Sequence, residues 1–478
     1  MKTILRWKAV KFILIAVIIL FFVSLFCSLQ MQALGWDEDI VYTGDGPFWQ
    51  MEDVAYGGKQ VNIDGTDEHD VNHVDAARLN VPHPIIIWWT PFTGQRGQVT
   101  KCGNNQCFFT IDRHFQHHPN TSAFMFYGTD FKPDDVPVPR KRQHEWALFH
   151  EESPKNNYIL SHPECLTLFN HTATFKRVSD YPITTQYLKS IEDLESRKYL
   201  KTLEEKKRAG LAPVAYVQSD CNPPSDRDSY VKELMKHIRV DSYGACLHNK
   251  PLPQELTDPL TMFKSNFFEI MSKYKFTLAF ENALCEDYVT EKLWRPLILG
   301  SVPVYRGSPT VRDWLPDNNS AVVVDDFRSP KELADRLKYL DGNDEAYEKL
   351  LNFKNVGVTN PHLLSVMKDR EWGVNDYTQP NFIDGFECLV CNCLHENLKA
   401  RREGKSETPH IVSPDHYTCP RPVAFSPESY NSIHLYVELY DEHIKRAKAL
   451  RELIDAKANF TSEQYSALVY KYLTGERN

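Results

Sequence analysis

The most apolar stretch of the chain lies close to its N-terminus. Residues 12–34 contain no charged side chain, and the preceding charges are the basic residues Lys2, Arg6, Lys8 and Lys11. A helix rises ~1.5 Å per residue, so this run is about 34 Å long, which is enough for a ~30 Å bilayer core. The pattern predicts a signal-anchor helix over 12–34 behind a cytosolic tail, residues 1–11, with the C-terminal bulk in the lumen. A cleaved signal peptide is the alternative.

After a polar stem, residues 35–80, the hydrophobic pattern changes to short strand-like runs between polar or helical stretches. In residues 81–210 it predicts strands over 84–89, 123–127, 146–150 and 172–176, then a charged surface helix over 186–208. Alternation of strands and helices is typical of a parallel sheet wrapped by helices. We interpret residues 81–210 as a first lobe on the acceptor side.

Residues 211–360 repeat the alternation. The pattern predicts strands over 214–218, 240–243, 276–281, 302–305 and 321–324, and helices over 228–238, 259–271, 291–299 and from Pro330. Two such lobes predict an α/β fold of two Rossmann-like units with the ligand between them, at the carboxyl ends of the strands. This arrangement suits a nucleotide-sugar enzyme. The chain contains no G-x-G-x-x-G or Walker loop, which removes the usual support for dinucleotide or ATP binding.

The C-terminal part comprises a return segment with a C-x-x-C motif, residues 361–396, and a helical extension, residues 397–478. In the extension, Ser426-Pro427-Glu428 predicts a helix start. Apolar positions then recur every three or four residues: Ile433, Val437, Tyr440, Ile444, Ala447, Leu450 and Ile454. This face packs either on the catalytic body or on a partner or acceptor.

Composition narrows the class of protein. With 42% hydrophobic and 25% charged residues, the chain has enough material for a large core, which excludes a disordered protein. The balance of 55 basic and 64 acidic side chains gives a net charge of -9 and argues against nucleic acid as the main partner.

Cysteines and glycosylation sequons are consistent with a lumenal location in the Golgi or the endoplasmic reticulum. Ten cysteines lie outside the apolar run. An even number in an oxidising lumen predicts disulfides, although the pairing is not readable from the sequence. The candidates are Cys102, Cys107, Cys388 and Cys391; zinc at the Cys388-x-x-Cys391-x-Cys393 run is the alternative. The candidate N-glycosylation sites are Asn120, Asn170, Asn318 and Asn459.

The densest group of polar residues in an apolar setting is the run FENALCEDYVTEKL, which follows one strand and opens a helix. Thr290 can cap that helix, so its N-terminal amides and Lys292 lie where a phosphate would be held. Asn282 and Tyr288 can hydrogen-bond a sugar, and Glu291 can accept from sugar hydroxyls. An ordinary capped helix with a solvated Glu-Lys pair is the alternative.

The longer run FENALCEDYVTEKLWRPLILGSVPVYRG resembles the signature of the α-1,3-fucosyltransferases of glycosyltransferase family 10. The resemblance covers residues 85–393, about two thirds of the chain, and its other motifs fall in family order: residues 214–243, the ESP of 152–154, the FNHT of 169–172 and the Cys388-x-x-Cys391 pair. Within the family the chain is most similar to the divergent branch labelled fucosyltransferases 10 and 11, the first of these especially.

The resemblance implies a GT-B fold and inverting transfer of L-fucose from GDP-β-L-fucose, with no metal required. It identifies Glu152 as the counterpart of the family's proposed base, with its neighbour Glu151 as the competitor. It also implies that the donor is bound by Arg227, Asn282, Tyr288, Glu291 and Lys292. Asp325-Asp326 is interpreted as a turn or cap and not as a metal site.

The chain departs from the family mainly on the acceptor side. Typical members carry two adjacent histidines where this chain has FYGTD, at residues 126–130. We therefore expect the donor to be retained and the acceptor to differ. Three hypotheses follow: α-1,3 transfer to GlcNAc of N-glycans, transfer to Ser or Thr of a folded secreted domain, and a catalytically silent lumenal binding protein. The oligomeric state is not readable.

Overall fold

The computed structural model describes residues 80–475, apart from residues 93, 95–96, 377 and 406–409, and these belong to one compact unit. The predicted cytosolic tail and signal-anchor helix, and the stem up to residue 79, lie outside the described residues. Among the residues that are described, no helix combines the length and apolarity needed to cross a bilayer.

The first lobe is built on a seven-stranded sheet. Its order is β2-β3-β1-β4-β5-β6-β7, and all neighbouring strands are parallel except the antiparallel pair β2–β3. The strands are β1 Ile85–Thr90, β2 Gln98–Cys102, β3 Asn105–Thr110, β4 Thr121–Tyr127, β5 Glu145–His150, β6 His171–Thr174 and β7 Tyr181–Pro182. Strands β1 and β5 are buried along their whole length, as is typical of strands in a parallel sheet that is covered on both faces.

The second lobe is built on a five-stranded, fully parallel sheet of order β12-β11-β10-β8-β9. Its strands are β8 Val214–Val217, β9 Val240–Tyr243, β10 Phe276–Phe280, β11 Val302–Arg306 and β12 Val322–Val323. The α-helices up to residue 356 are α1 Pro163–Leu166, α2 Ile191–Glu195, α3 Leu203–Arg208, α4 Arg227–Leu234, α5 Ser265–Met271, α6 Glu291–Leu299, α7 Pro330–Gly342, α8 Asp344–Glu348 and α9 Phe353–Val356. The predicted α/β class is confirmed.

The predicted surface helix over 186–208 is wrong. Ser190 and Thr202 each accept a backbone N–H three residues ahead and so start two separate short helices, α2 and α3. The segment is not a surface feature either, because Leu194 is fully buried and the Lys206 ammonium donates to the carbonyls of Ser272, Tyr274 and Gly300. Burial lowers the pKa of Lys206 to about 7. The segment packs into the core of the second lobe.

Four α-helices follow in the described C-terminal part: α10 Pro361–Asp369, α11 Phe382–Arg402, α12 Tyr430–Asp455 and α13 Ser462–Thr474. Helix α10 packs on the core of the second lobe through Leu363, whereas α11 and α12 cover the first lobe. The predicted boundary at 396/397 falls inside α11, because Asn397 continues the helix and donates to Glu145 of β5. The helix predicted after Ser426 forms as α12, and its buried face packs on the core of the first lobe. Packing on the catalytic body is confirmed for this face.

Candidate active site

The candidate site lies where strands of both sheets end. In the second sheet, β8 and β10 are neighbours although the chain visits β9 between them, so the crevice at their carboxyl ends is a topological switch point. Arg227 opens the helix after β8, and the 281–292 segment follows β10. On the first lobe, Glu151 and Glu152 directly follow β5. Most predicted site residues therefore come from loops at these carboxyl ends.

Glu152 connects the two lobes through Tyr288. The hydroxyl of the buried Tyr288 donates to Oε2 of Glu152 at 3.2 Å. The hydroxyl of Tyr417 donates to the main-chain oxygen of Glu152 at 2.8 Å. Burial raises the pKa of the Glu152 carboxyl, against the opposing effect of the Lys292 charge. A partly accessible carboxyl with a raised pKa is suited to accept a proton near neutral pH.

Glu151 has different partners. Its Oε1 accepts from the Tyr127 hydroxyl at 3.0 Å, while its Oε2 is buried and has no hydrogen-bond partner among the described residues. Burial and the charge of Glu152 raise the pKa of Glu151 to about 8. The two neighbouring carboxyls therefore diverge, Glu151 toward the first lobe and Glu152 toward the second, as alternation along an extended strand predicts.

Lys292 lies within a group of carboxylates at the start of α6. Its Nζ is 3.0 Å from Oε1 of Glu291 and 3.8 Å from Oε2 of Glu281. Burial alone would lower the pKa of Lys292, but these two charges outweigh burial and raise it. Burial would likewise raise the pKa of Glu291, but Lys292 and Arg295 outweigh it and lower it. Lys292 is thus a charged ammonium held at the crevice.

Glu281 is a site residue to which the sequence assigns no role. It is fully buried, and its carboxylate accepts from the main-chain N–H of Thr290 at 2.9 Å and from the Thr290 hydroxyl. Burial raises its pKa to about 7. Thr290 also caps α6 by accepting from the N–H of Lys292, so this amide of the first turn is already paired. Gly307 leaves room for this arrangement, because a Cβ there would lie 2.6 Å from Cγ of Glu281.

Arg227 is the first residue of α4 and is buried in the structure. Only 1% of it is exposed, and its guanidinium donates to the carbonyls of Phe280 at 3.0 Å and of Asp220 at 2.8 Å. Its Nε is buried without a partner among the described residues, and the same is true of Oδ1 of Asn282. The main-chain oxygen of Asn282 accepts from the N–H of Ser225, which joins the loops after β8 and β10.

Ion pairs between the lobes surround this group. Arg177, after β6, donates to Asp287 through Nε and Nη2 and to Asp313 through Nη1 at 2.9 Å. Burial would raise the pKa of Asp287, but hydrogen bonds from Arg177 and Thr310 outweigh it and lower it. Lys155 pairs with Asp220 across the same crevice. These contacts have no signal in the sequence, because they join residues more than 60 positions apart.

The four sequons have different surroundings. Asn120, Asn318 and Asn459 are exposed. Asn170 is buried: its Oδ1 accepts from Arg140 at 2.6 Å and from the Trp146 N–H at 2.9 Å, and its Nδ2 donates to the His410 carbonyl at 2.6 Å. Because the whole side chain is buried, Nδ2 has no room for a glycan in this fold. The structure thus contradicts Asn170 as a glycosylation candidate.

The candidate cysteines form disulfides. Cys388 and Cys391 on α11 pair with Cys102 and Cys107 of the β2–β3 hairpin. Two further disulfides join Cys221 to Cys246 and Cys285 to Cys419, and within the described part of the chain Cys165 and Cys393 are free. The group of described residues with metal-ligand spacing is Cys107, Cys391 and His395. Cys107 and Cys391 form a disulfide with each other, so neither sulfur is free to bind zinc. This argues against a zinc ion there.

Two family models match the chain. One, described as "Fucosyltransferase, N-terminal", matches residues 81–187, and the other, "Glycosyltransferase family 10 (fucosyltransferase) C-term", matches residues 203–407.

Among curated relatives, GDP-fucose protein O-fucosyltransferase 3 of Gallus gallus is 53% identical over 397 residues, covering 81% of this chain and 84% of that protein. The Homo sapiens protein of the same name is 50% identical over 398 residues, covering 81% and 83%.

Solved structures with some likeness include an alpha1,3-fucosyltransferase, which is 17% identical with a TM-score of 0.38 and covers 69% of this chain and 92% of that one. A GDP-fucose complex of an alpha1,3-fucosyltransferase is 16% identical with a TM-score of 0.36, covering 64% and 83%.

Proposed function

Because the chain belongs to glycosyltransferase family 10, the fucosyltransferase family, we propose that it transfers L-fucose from GDP-fucose to a Ser or Thr hydroxyl of a folded secreted protein. The observation that carries the proposal is the identity of 50–53% to relatives named for that reaction. It favours the protein acceptor over GlcNAc of N-glycans, the acceptor that the family resemblance alone had placed first. It also argues against a silent binding protein.

In the proposed reaction the acceptor oxygen attacks C1 of fucose on the face opposite GDP. A bond forms between that oxygen and C1, the bond from C1 to the β-phosphate oxygen breaks, and GDP leaves with the bonding electrons. The hydroxyl proton passes to Glu152, whose raised pKa suits it to hold that proton. Displacement from the opposite face converts the β-linked donor into an α-linked product.

The leaving group gains negative charge as the bond to C1 breaks, so the site must present positive charge to the diphosphate. We assign this role to Lys292 and Arg227. Lys292 is held at the start of α6 by Glu291 and Glu281. The buried Nε of Arg227 and the buried Oδ1 of Asn282 lack partners among the described residues. Buried polar atoms are rarely left unpaired, and in our proposal the bound GDP-fucose pairs with these two atoms.

The structure suggests a further role for Tyr288 beside donor binding. Its hydroxyl donates to Glu152, so it also orients the proposed base. Glu291 pairs with Lys292, and in the proposed complex its carboxylate also accepts hydrogen bonds from sugar hydroxyls.

We further propose that no metal is required, because Lys292 and Arg227 supply the positive charge. The expected observation is full activity after treatment with EDTA.

The setting we propose is the lumen of the endoplasmic reticulum or Golgi, with a GT-B fold behind the signal-anchor helix predicted over 12–34. The four disulfides support an oxidising compartment. We also keep the assignment to the branch of fucosyltransferases 10 and 11 as a proposal.

The function is tested by offering two acceptor pools to the full chain made in a secretory host, with labelled GDP-fucose. One pool holds folded secreted domains stripped of N-glycans, and the other holds GlcNAc-terminated biantennary N-glycans. We expect label on the domains, resistant to N-glycanase and released by β-elimination. The Glu152→Gln variant, prepared in parallel, controls for a contaminating transferase.

Label found in the glycan pool alone would overturn the protein acceptor and restore the α-1,3 reaction. Donor binding without transfer to either pool would contradict both enzymatic alternatives.

A further inference from the structure

A C-terminal segment, residues 412–432, lies beyond the end of the family match at residue 407 and contacts the site from three directions. We call it the brace. We propose that the brace positions both the base and the donor-binding arginine, and so is a working part of the active site in this chain. The inference rests on the proposed function for the identity of the reacting groups.

The brace contacts the proposed base through Tyr417. This side chain is fully buried, and its hydroxyl donates to the main-chain oxygen of Glu152 at 2.8 Å. Its ring lies 4.8 Å from that of His150, the last residue of β5, and 5.4 Å from that of Phe175. Phe175 in turn packs edge-on against Tyr288, with the two ring centroids 5.0 Å apart. Tyr417 therefore fixes the main chain that carries Glu152.

The brace is also bonded to both lobes. Cys419 forms a disulfide with Cys285, three residues before Tyr288 in the donor motif. On the first lobe, the Thr174 hydroxyl donates to the His416 carbonyl at 2.6 Å, and the Val412 N–H donates to the Phe169 carbonyl at 3.3 Å. Contacts with both lobes thus hold the chain around Tyr417 in place.

The third contact is with Asp226, the residue before Arg227. Asp226 lies at the N-cap position of α4 with a left-handed backbone, φ 50°, yet its side chain makes no cap hydrogen bond. It is 1% exposed, and its carboxylate accepts from the Phe425 N–H at 2.7 Å, from the Ser432 hydroxyl at 2.8 Å and from the Ser429 hydroxyl. All three donors come from the brace. They hold the turn from which Arg227 enters the site.

Because these contacts serve different reacting groups, their loss has different kinetic signatures. Tyr417→Phe keeps the ring but removes the bond to Glu152, so we expect kcat to fall about 10-fold while KM for GDP-fucose changes less than 2-fold. Ser432→Ala removes a donor to Asp226, so we expect GDP to bind about 5-fold more weakly by calorimetry. Ser432→Thr retains the hydroxyl, and affinity returns to within 2-fold of the wild type.

Arg421→Ala supplies the matched control. Arg421 belongs to the brace, and the change breaks only its exposed pair with Asp441 of α12, which touches no site residue. We expect wild-type kcat, KM and GDP affinity from this variant. Thermal midpoints of all variants establish that they are folded.

A passive covering segment would give a different result. If the losses in Tyr417→Phe and Ser432→Ala follow the drop in thermal midpoint and affect kcat and GDP affinity alike, or if both variants match Arg421→Ala, the brace is not a positioning element. Calorimetry with GDP needs no acceptor. A wild-type protein that binds GDP but modifies neither acceptor pool would therefore defeat the proposed function while the Ser432 comparison still decides this inference.

Discussion

At the residue scale, Glu151 and Glu152 are chemically identical neighbours in different surroundings. Glu151 is buried against Tyr127, and its pKa of about 8 leaves it mostly protonated at neutral pH. Glu152 faces Tyr288 and the Lys292 charge across the crevice. Only Glu152 combines access to the crevice with a neighbouring cation, which is why we assign it the proton.

The first prediction concerns this pair. Glu152→Gln removes the proton acceptor but keeps the size of the side chain, so we expect kcat to fall by about 10²–10⁴-fold. GDP affinity by calorimetry should stay within 2-fold. Glu151→Gln is the matched control, because a neutral amide resembles the protonated carboxyl, and it should keep most of the activity. The opposite ranking of the two variants would assign the base to Glu151.

The second prediction concerns the donor phosphates. Lys292→Ala removes the ammonium and leaves Glu281 and Glu291 without their shared cation, so we expect GDP to bind at least about 10-fold more weakly. Lys331→Ala, in the exposed first turn of α7, removes a lysine with a solvent-exposed partner and should bind GDP normally. Equal affinity of both variants, measured by calorimetry, would exclude Lys292 from phosphate binding.

The local pattern predicts the contiguous part of the site, the family resemblance adds Glu152 and Arg227, and the long-range contacts such as that of Tyr417 have no signal in the sequence. Asn282, Tyr288, Glu291 and Lys292 stand in one motif, so a strand followed by a capped helix is enough to place them near each other. Tyr417 is 265 residues from Glu152, and only the tertiary fold brings them together. A pattern of local periodicity contains no information on such a contact.

At the element scale, the predicted strands agree with the structure to within two or three residues. Apolar, β-branched runs between polar turns give unambiguous limits, as in β1 and β10. The segment 186–208 fails because charge and spacing resemble one amphipathic helix, whereas Ser190 and Thr202 interrupt it with separate caps. Hydrophobic spacing alone did not separate two short capped helices from one long helix.

The third prediction concerns the sequon at Asn170, which is buried where strand β6 begins. Asn170 lies at the entrance to β6, where its amide bridges Arg140, the β5 main chain and His410. We expect glycans at the exposed Asn120, Asn318 and Asn459 and none at Asn170. Enzymatic release in ¹⁸O-water followed by peptide mapping reads each site separately. Appreciable occupancy of Asn170 would contradict the packing described at this strand.

At the scale of the whole molecule, the C-terminal part completes the first lobe. Helix α11 covers the sheet through two disulfides and through the indole N–H of Trp88, which donates to Glu387 at 2.7 Å. Helix α12 covers the region around α1, where Arg451 donates to the Glu164 carbonyl at 3.0 Å. The sequence predicts an apolar helix face here, but the surface that receives it becomes known only from the fold.

The fourth prediction concerns the pH dependence of stability. Burial raises the pKa of Glu387 to about 8, so the folded state holds a proton that the unfolded state releases near pH 4.5. This contribution is complete at low pH and is lost as pH rises toward 8. Glu387→Gln has no such loss. Its free energy of unfolding, relative to wild type, should rise between pH 5 and pH 8, with a ceiling of about 4 kcal/mol for these three pH units at about 1.4 kcal/mol per unit.

The buried histidines contribute to the pH dependence of both proteins. Taking the difference between variant and wild type at each pH therefore removes their contribution to the free energy of unfolding and leaves that of Glu387. Glu396→Gln, on the exposed side of the same helix, should differ from wild type equally at both pH values. A constant difference for Glu387→Gln as well would show that the carboxyl is ionised in the folded protein.

The central claim is that this family 10 enzyme fucosylates a polypeptide hydroxyl. The most direct measurement is electron-transfer fragmentation of a folded secreted domain after incubation with the full chain and GDP-fucose, which locates fucose on individual residues of the product. The account predicts fucose on Ser or Thr Oγ, and none with the Glu152→Gln variant. Fucose found only on GlcNAc, with every Ser and Thr unmodified, would contradict it.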